Sequence, residues 1–247
     1  MKIGIIGAML EEIEGIRAEH DWHKQHEVGA RTYYEGTVHG HEIVLVFSRW
    51  GKVAAASVTT TLINLFNVDA IIFMGVAGAV APELNIGDVV LAKNLIQHDM
   101  NAFPLFPRFE IPLVAKSYFA AEEKLNQLAT QAINQALQSA ELKKLPLHQF
   151  SITTPKLYHG TIASGDQFIS STDITSELSS AINNLLCVDM ESAAVAQICD
   201  DYQMPFSIIR VISDKADHSA HIDFPKFIQE LASPLDQLII KNFLAVL

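Results

Sequence analysis

The sequence predicts an α/β fold built around a central sheet. Two features of the chain carry that reading. Short β-branched, apolar runs alternate with longer segments of helical spacing. Several of the short runs are apolar at every position, as strands covered on both faces are. With 247 residues and 49% hydrophobic composition, the chain can bury a large core without staples. No internal repeat, low-complexity tract or Gly/Ser linker divides it, so residues 1–247 read as a single domain.

Each element has its own signal. Lys2–Gly7 is a short apolar strand, and residues 10–20 follow with Leu10, Ile13 and Ile16 at helical spacing. Arg31–Val38 and residues 41–48 are β-branched and aromatic runs around His39-Gly40, which predicts a hairpin. Residues 51–66 are rich in Ala, Val and Leu and long enough for a buried helix. Ala70–Met74 reads as a central strand, with further strands at 88–96 and 157–163. The stretch 101–113 carries Pro104, Pro107 and Pro112, which remove donors and block helix, so it is an irregular loop. Its Phe103, Phe106 and Phe109 pack either on their own core or at an interface or pocket lid. Residues 117–139 and 190–202 have amphipathic helical patterns. A proline-entered strand spans 205–212, and 224–247 is helical with Pro234 expected to interrupt it.

Composition excludes several classes. The formal charge of −11 lacks the basic footprint that a phosphate backbone needs, so no nucleic-acid partner is expected. No stretch reaches the roughly 18 apolar residues of a membrane span. The apolar start is closed by Glu11 and Glu12 where a leader would carry small residues. Cys187 and Cys199 cannot form a disulfide framework in a chain of this length and read as small core hydrophobes. A soluble, cytoplasmic protein in a reducing compartment is the expectation.

Three acidic groups stand where strand gives way to helix or loop: Glu11-Glu12, Asp189-Met190-Glu191 and Asp214. Ligands of open α/β sheets bind at the carboxyl ends of strands, and carboxylates converging there can divide into acid and base. The competing explanation is that acids in a first helical turn simply favour the dipole. Gly4-x-x-Gly7 and Gly75-x-x-Gly78 do not complete a dinucleotide fingerprint. They suit tight turns, with close backbone approach to a ligand as the alternative after Met74. No HExxH pair occurs, and neither His98-Asp99 nor His218 and His221 has supporting ligands at metal spacing. Ser164-Gly165-Asp166 is not a nucleophile elbow. The residues alone describe an α/β enzyme with an acidic pocket.

Taken in order, six motifs are recognisable: Ile3 to Met9 with Glu11-Glu12, Gly51-Lys52-Val53-Ala54-Ala55, Gly75-Val76-Ala77-Gly78, Ala163 to Phe168, Val188 to Glu191, and Arg210 to Asp214. Together they resemble the 5′-methylthioadenosine/S-adenosylhomocysteine nucleosidases of the purine nucleoside phosphorylase superfamily. The resemblance implies a three-layer α/β/α fold with a mixed central sheet, a homodimer, and neither cofactor nor metal. It implies hydrolysis of 5′-substituted adenosines to adenine and a 5-substituted ribose, with 6-amino-6-deoxyfutalosine as a further possible substrate. By motif position, Glu12 resembles the carboxylate that activates water, and Asp214 the acid at adenine N7, with Ser213, Arg210 and Ala216 setting its loop. Glu191 and Asp189 resemble ribose-binding residues, with Met190 against the sugar. Phe168 resembles the residue stacked on the base, and the main chain of Ile169 would read the adenine edge. Val76 and Ala77 would line the floor and Phe224 the 5′ side, with Met9 as a supporting residue.

Three positions depart from that pattern. Asp189 stands where these enzymes usually carry Glu, which implies a shortened or water-bridged ribose contact. Trp50 replaces a smaller aliphatic residue and is expected to close the 5′ pocket. The 101–113 loop differs in sequence, and the resemblance directs its Phe103, Phe106 and Phe109 into the partner subunit's site. Two other functions remain open. Phosphorylases of the superfamily carry arginines after the first strand and before the Gly-x-x-Gly segment, where this chain reads Met9-Leu10-Glu11-Glu12 and Ile72-Phe73-Met74-Gly75. An acid at the nucleophile site would repel phosphate by about 4 kcal/mol at 4 Å with an effective dielectric constant near 20. A non-catalytic adenosine-derivative binder would need no acid at N7.

Overall fold

The structure, a computed structural model, describes residues 1–216 and 224–247. The chain runs β1 (Lys2–Gly7), α1 (Leu10–Glu19), β2 (Trp22–Val28), β3 (Arg31–Val38), β4 (His41–Phe47), α2 (Lys52–Asn64), β5 (Ala70–Met74), β6 (Val76–Ala79), β7 (Val89–Gln97), β8 (Tyr118–Ala120) and α3 (Glu123–Gln138). It continues through two short 3₁₀ turns to β9 (Leu157–Ser164), α4 (Thr172–Ala181), β10 (Leu185–Asp189), α5 (Ser192–Asp201) and β11 (Phe206–Asp214). The last segment is α6 (Phe224–Phe227), a π-helical stretch Ile228–Ala232, and α7 (Ser233–Val246).

The strands form one mixed sheet in the order β2-β3-β4-β1-β5-β11-β6-β10-β9-β7-β8. β1 lies parallel between β4 and β5, with Ile5 level with Leu45 and Ile72. β11 is the seam of the sheet. Its start pairs with β5, its middle runs antiparallel to β7, and its end pairs with β6. The sheet therefore curls so that β7 returns to β11. Alternation across the strands divides the core. Ile6, Phe73, Ile208 and Ile212 face α2 and α5. Ile5, Ile72, Ile209 and Val211 face α1, α3 and α7. This is the α/β/α sandwich with a mixed sheet that the resemblance implied.

Several elements differ from the sequence expectations. The pattern at 117–139 is helical only from Glu123. Tyr118–Ala120 is drawn into β8 against β7, and the Glu122 carboxylate accepts the Leu125 N–H at 2.6 Å to cap the helix. The glycines at 75 and 78 do not mark a turn: residues 76–79 form β6, bonded to β10 and β11. Pro234 does not break the tail. The preceding turn widens to π geometry over Ile228–Ala232, and Pro234 enters α7 at its first turn, where no donor is needed. β2 has a polar sequence, WHKQHEV, that carries no strand signal; it is an edge strand recruited by β3. β10 and α4 were likewise not anticipated.

Candidate active site

The segment after β1, the start of β6 and the ends of β10 and β11 meet at a cavity of about 310 Å³ lined by Ala8, Met9, Glu12, Trp50, Val76, Ala77, Gly78, Phe168, Val188, Asp189, Met190, Glu191, Ser213, Asp214 and Phe224. Most of this lining is apolar, and four carboxyl groups border it, those of Glu12, Asp189, Glu191 and Asp214. Glu12 comes from the first turn of α1. Its Oε2 accepts the Met9 N–H at 2.9 Å, while Oε1 has no hydrogen-bond partner among the described residues. Burial pushes Glu12 up to about 7; Arg210 and the amides of Met9, Ala8 and Val76 pull it back down. The chain permits this only because residue 75 is glycine. Gly75 has φ +146°, and a Cβ there would lie 2.6 Å from Glu12 Oε1.

Glu191 follows β10 directly and sits at the start of α5. Its Oε1 accepts the Gly51 N–H at 2.7 Å. Burial and then neighbouring Asp189 raise Glu191 to about 7, against the opposing Gly51 amide and Arg210 charge. Asp214 ends β11. Its Oδ1 accepts the Ala216 N–H at 2.8 Å and its Oδ2 accepts the Ser213 hydroxyl at 2.7 Å.

Asp189 lines the cavity and is also heavily bonded within the protein. Its carboxylate accepts from Arg210 Nε at 2.8 Å, from the hydroxyls of Ser164 and Ser192, and from the N–H groups of Glu191 and Ser192 at 3.2 Å. Both oxygens are engaged within the protein, in a buried ion pair that anchors the β10–α5 junction. Arg210 is itself fully buried, 3.9 Å above the Phe73 ring, and its Nη2 has no partner among the described residues. Its charge holds the surrounding carboxylates together; removing one partner of such a pair costs about 3–5 kcal/mol.

The other expected residues divide into three groups. Met9, Val76, Ala77, Met190, Ser213 and Phe224 line the cavity, as does Phe168, which is 64% exposed. Ile169 is buried and borders an adjoining cavity of about 40 Å³ with Gln167, Phe168 and Asp214. Ala216 is buried and acts through its N–H. Trp50 lines the main cavity and is 61% exposed. Of the loop aromatics, none lines the cavity in this chain. Phe109 is buried beneath Arg108 in its own core, while Phe106 is half-buried and Phe103 is 76% exposed.

Sequence reasoning missed the clamp that orders the rim. Lys52 Nζ bonds Asp99 at 2.6 Å and Gln97 at 2.9 Å; the Lys52 N–H bonds Asp166, and the Asp166 N–H bonds Asp99. This clamp joins the loop of Trp50 to that of Phe168. Lys52 and Asp166 stood inside quoted motifs, but nothing local showed that they meet. Asp236 was also missed: it is fully buried on α7, and neither oxygen has a partner among the described residues. Among the described residues, no three His, Cys, Asp or Glu side chains are placed to hold a metal, and no helix is long and apolar enough to cross a membrane. His98 is buried against Gly165, while His218 and His221 lie outside the described residues.

Comparison with known proteins agrees with this geometry. Residues 2–245 match the family described as the phosphorylase superfamily. The chain is 31% identical over 242 residues to a 5′-methylthioadenosine/S-adenosylhomocysteine nucleosidase of Bacillus subtilis, covering 98% of this chain and 97% of that one. An S-adenosylhomocysteine nucleosidase from Streptococcus pyogenes in complex with 5-methylthiotubericidin superposes with a TM-score of 0.85 at 35% identity, covering 99% of this chain and 96% of the other. The native futalosine hydrolase of Helicobacter pylori gives a TM-score of 0.85 at 32% identity, covering 100% and 98%. The chain belongs to the phosphorylase superfamily, within its family of 5′-methylthioadenosine/S-adenosylhomocysteine nucleosidases.

Proposed function

We propose that this protein hydrolyses the N-glycosidic bond of 5′-methylthioadenosine, S-adenosylhomocysteine and related 5′-substituted adenosines, releasing adenine and a 5-substituted ribose. The observation that carries the reading is the convergence of Glu12, Glu191 and Asp214, all buried, on one largely apolar cavity. Phe168 and Asp214, which border both this cavity and the small adjoining one, flank the place of the flat base, its edge read by the Ile169 main chain. Met190 and Glu191 fit the ribose and its hydroxyls, over a floor of Val76 and Ala77. Met9, Trp50 and Phe224 stand at the remaining end, where the 5′ substituent projects.

The chemistry follows from charge. As the C1′–N9 bond breaks, positive charge grows on the ribosyl ring and negative charge on the purine. Asp214 passes a proton to N7 as the base leaves, and buried carboxylates stabilise the cation in a medium poorer in water than bulk solvent. Water adds its oxygen to C1′ and gives its proton to Glu12, whose unpartnered Oε1 is the acceptor. A value of about 7 suits a general base working near neutrality. Two acids of that kind beside the nucleophile disfavour phosphate, so water is the acceptor of choice.

The same reading makes the protein a cytoplasmic homodimer. The 101–113 loop presents Phe103, Leu105 at 83% exposure and Leu113 at 92%, an apolar surface suited to a second copy of the chain. The buried free thiols of Cys187 and Cys199 suit a reducing compartment.

The test is adenine release from 5′-methylthioadenosine in phosphate-free buffer, for wild type and Asp214→Asn. Wild type turns over without phosphate. The amide keeps a hydrogen bond to N7 but has no proton to give, so kcat falls about 10³-fold while affinity for a substrate analogue stays within about tenfold. Phosphate dependence would overturn hydrolysis; unimpaired release by the variant would overturn the role of Asp214.

A further inference from the structure

Asp236 is set in the apolar face of α7, where Leu235, Ile239, Ile240 and Phe243 are its buried companions. The helix is locked against α1 on either side of it. The Ser233 hydroxyl donates to the Glu11 carbonyl, and Gln237 Nε2 donates to the Gly15 carbonyl at 3.2 Å. Only glycine at 15 permits that approach, since a Cβ there would lie 2.6 Å from Gln237 Oε1. The two contacts bracket Asp236 on one helix and Glu12 on the other, and the charges of Glu12 and Arg210 both act on Asp236. Glu12 in turn neighbours Arg210 and Glu191, and Arg210 is paired with Asp189. α3, which also packs on α7, buries only apolar side chains. Neither Asp236 oxygen has a hydrogen-bond partner among the described residues, and the same holds for Glu12 Oε1 and Arg210 Nη2. An ionised carboxyl so enclosed is far more costly than a neutral one, so Asp236 keeps its proton. Burial and the Glu12 charge act in that direction, against Arg210. A protonated carboxyl is a hydrogen-bond donor, and no apolar neighbour can use it.

We propose that Asp236 is a positioning residue for the reaction: its protonated carboxyl donates, through one internal water, towards Glu12 and helps hold Glu12 as the carboxylate that accepts the proton. The proposal rests on the nucleosidase reading, in which Glu12 is the base. The link runs through water because the two carboxyls make no direct hydrogen bond. A buried water needs two or more polar partners, and the unpartnered atoms of Asp236, Glu12 and Arg210 supply them. Burial drives Glu12 towards its neutral form, and a donor to the ionised form opposes that drive. The proton given up by the attacking water goes to Glu12, while Asp236 keeps its own throughout.

The experiment reads Glu12 itself. Protein carrying ¹³C at the glutamate side-chain carboxyls is titrated with acid and base, and the Glu12 resonance is identified by its loss in Glu12→Gln. Asp236→Ala and Asp236→Val both remove the donor, so that one reports if the other does not fold. Asp236→Asn keeps a donor in its amide. The Glu12 midpoint is expected to rise by about one pH unit in the apolar variants and to stay near the wild-type value in Asp236→Asn. In adenine release from 5′-methylthioadenosine, kcat/KM of the apolar variants then falls about tenfold on the acid side of the pH profile and holds at its plateau. A midpoint that does not move in the apolar variants overturns the proposal, as does an equal rise in Asp236→Asn. Activity lost equally at every pH with the midpoint in place shows a packing role and overturns it too. Failure of the nucleosidase reading shows itself differently, as an absence of adenine release by wild type, and there the ¹³C titration still decides whether Asp236 acts on Glu12.

Discussion

Replacing Glu12 by Gln separates catalysis from stability, because the structure gives the two effects opposite signs. Glu12 titrates at about 7 in the fold against an ordinary 4.5, with burial as the dominant cause. Its folded value is raised, so the folded chain binds more protons there than the unfolded chain does. Stability is therefore highest below about 4.5 and is lost as pH climbs from there through about 7. Two and a half pH units at 1.36 kcal/mol each make the ionised side chain cost about 3 kcal/mol at pH 8. Glutamine has nearly the same shape, stays neutral, and offers Met9 N–H a carbonyl oxygen in place of the carboxylate. Glu12→Gln is thus expected to match wild type near pH 4 and to exceed it by about 3 kcal/mol at pH 8. For a chain of this size that raises Tm by roughly 6–12 °C. The amide cannot accept a proton from water, so kcat drops by at least about 10². Calorimetry across pH 4–8 and adenine release on the same samples check both halves. A stability difference that does not vary with pH refutes the burial argument, and near-normal turnover refutes the base.

Two further outcomes are expected. Asp236 is fully buried with unpartnered oxygens, and burial, reinforced by Glu12 and opposed by Arg210, holds it well above the usual carboxylate range. Its raised folded value means stability lost as pH rises above the ordinary carboxylate value, so Asp236→Asn should gain progressively on wild type between pH 4 and 8; denaturant titrations that stay parallel across that range would contradict this. Leu105→Asp puts a charge on the exposed loop, and weakening of self-association by tenfold or more is expected in sedimentation equilibrium, whereas an unchanged association constant would remove the loop from the dimer contact.

Elements whose signal is local are legible in the order of residues alone. Lys2–Gly7 and Ala70–Met74 are apolar throughout because both faces are covered, and the His39-Gly40 turn ties Arg31–Val38 to its neighbour; periodicity reads all three. The placing of Glu12, Glu191 and Asp214 at strand ends was also legible, since chain order alone puts them there. Where an element is made by its neighbours, only the tertiary structure decided. β2 is polar and exists because β3 offers an unpaired edge; β8 takes residues 118–120 out of a helical pattern because β7 satisfies their backbone. The same holds for chemistry. Asp189 and Glu191 look alike in sequence, two residues apart, and both border the cavity, yet one is saturated by Arg210 and Ser164 from distant strands and by nearby Ser192, while the other accepts from the Gly51 N–H. Trp50 could be lid, core or wall until burial was known, and Asp236 carried no signal at all. Hydrogen-bond saturation and desolvation depend on groups distant in the chain, so they arise only when the sheet closes and the helices dock on it.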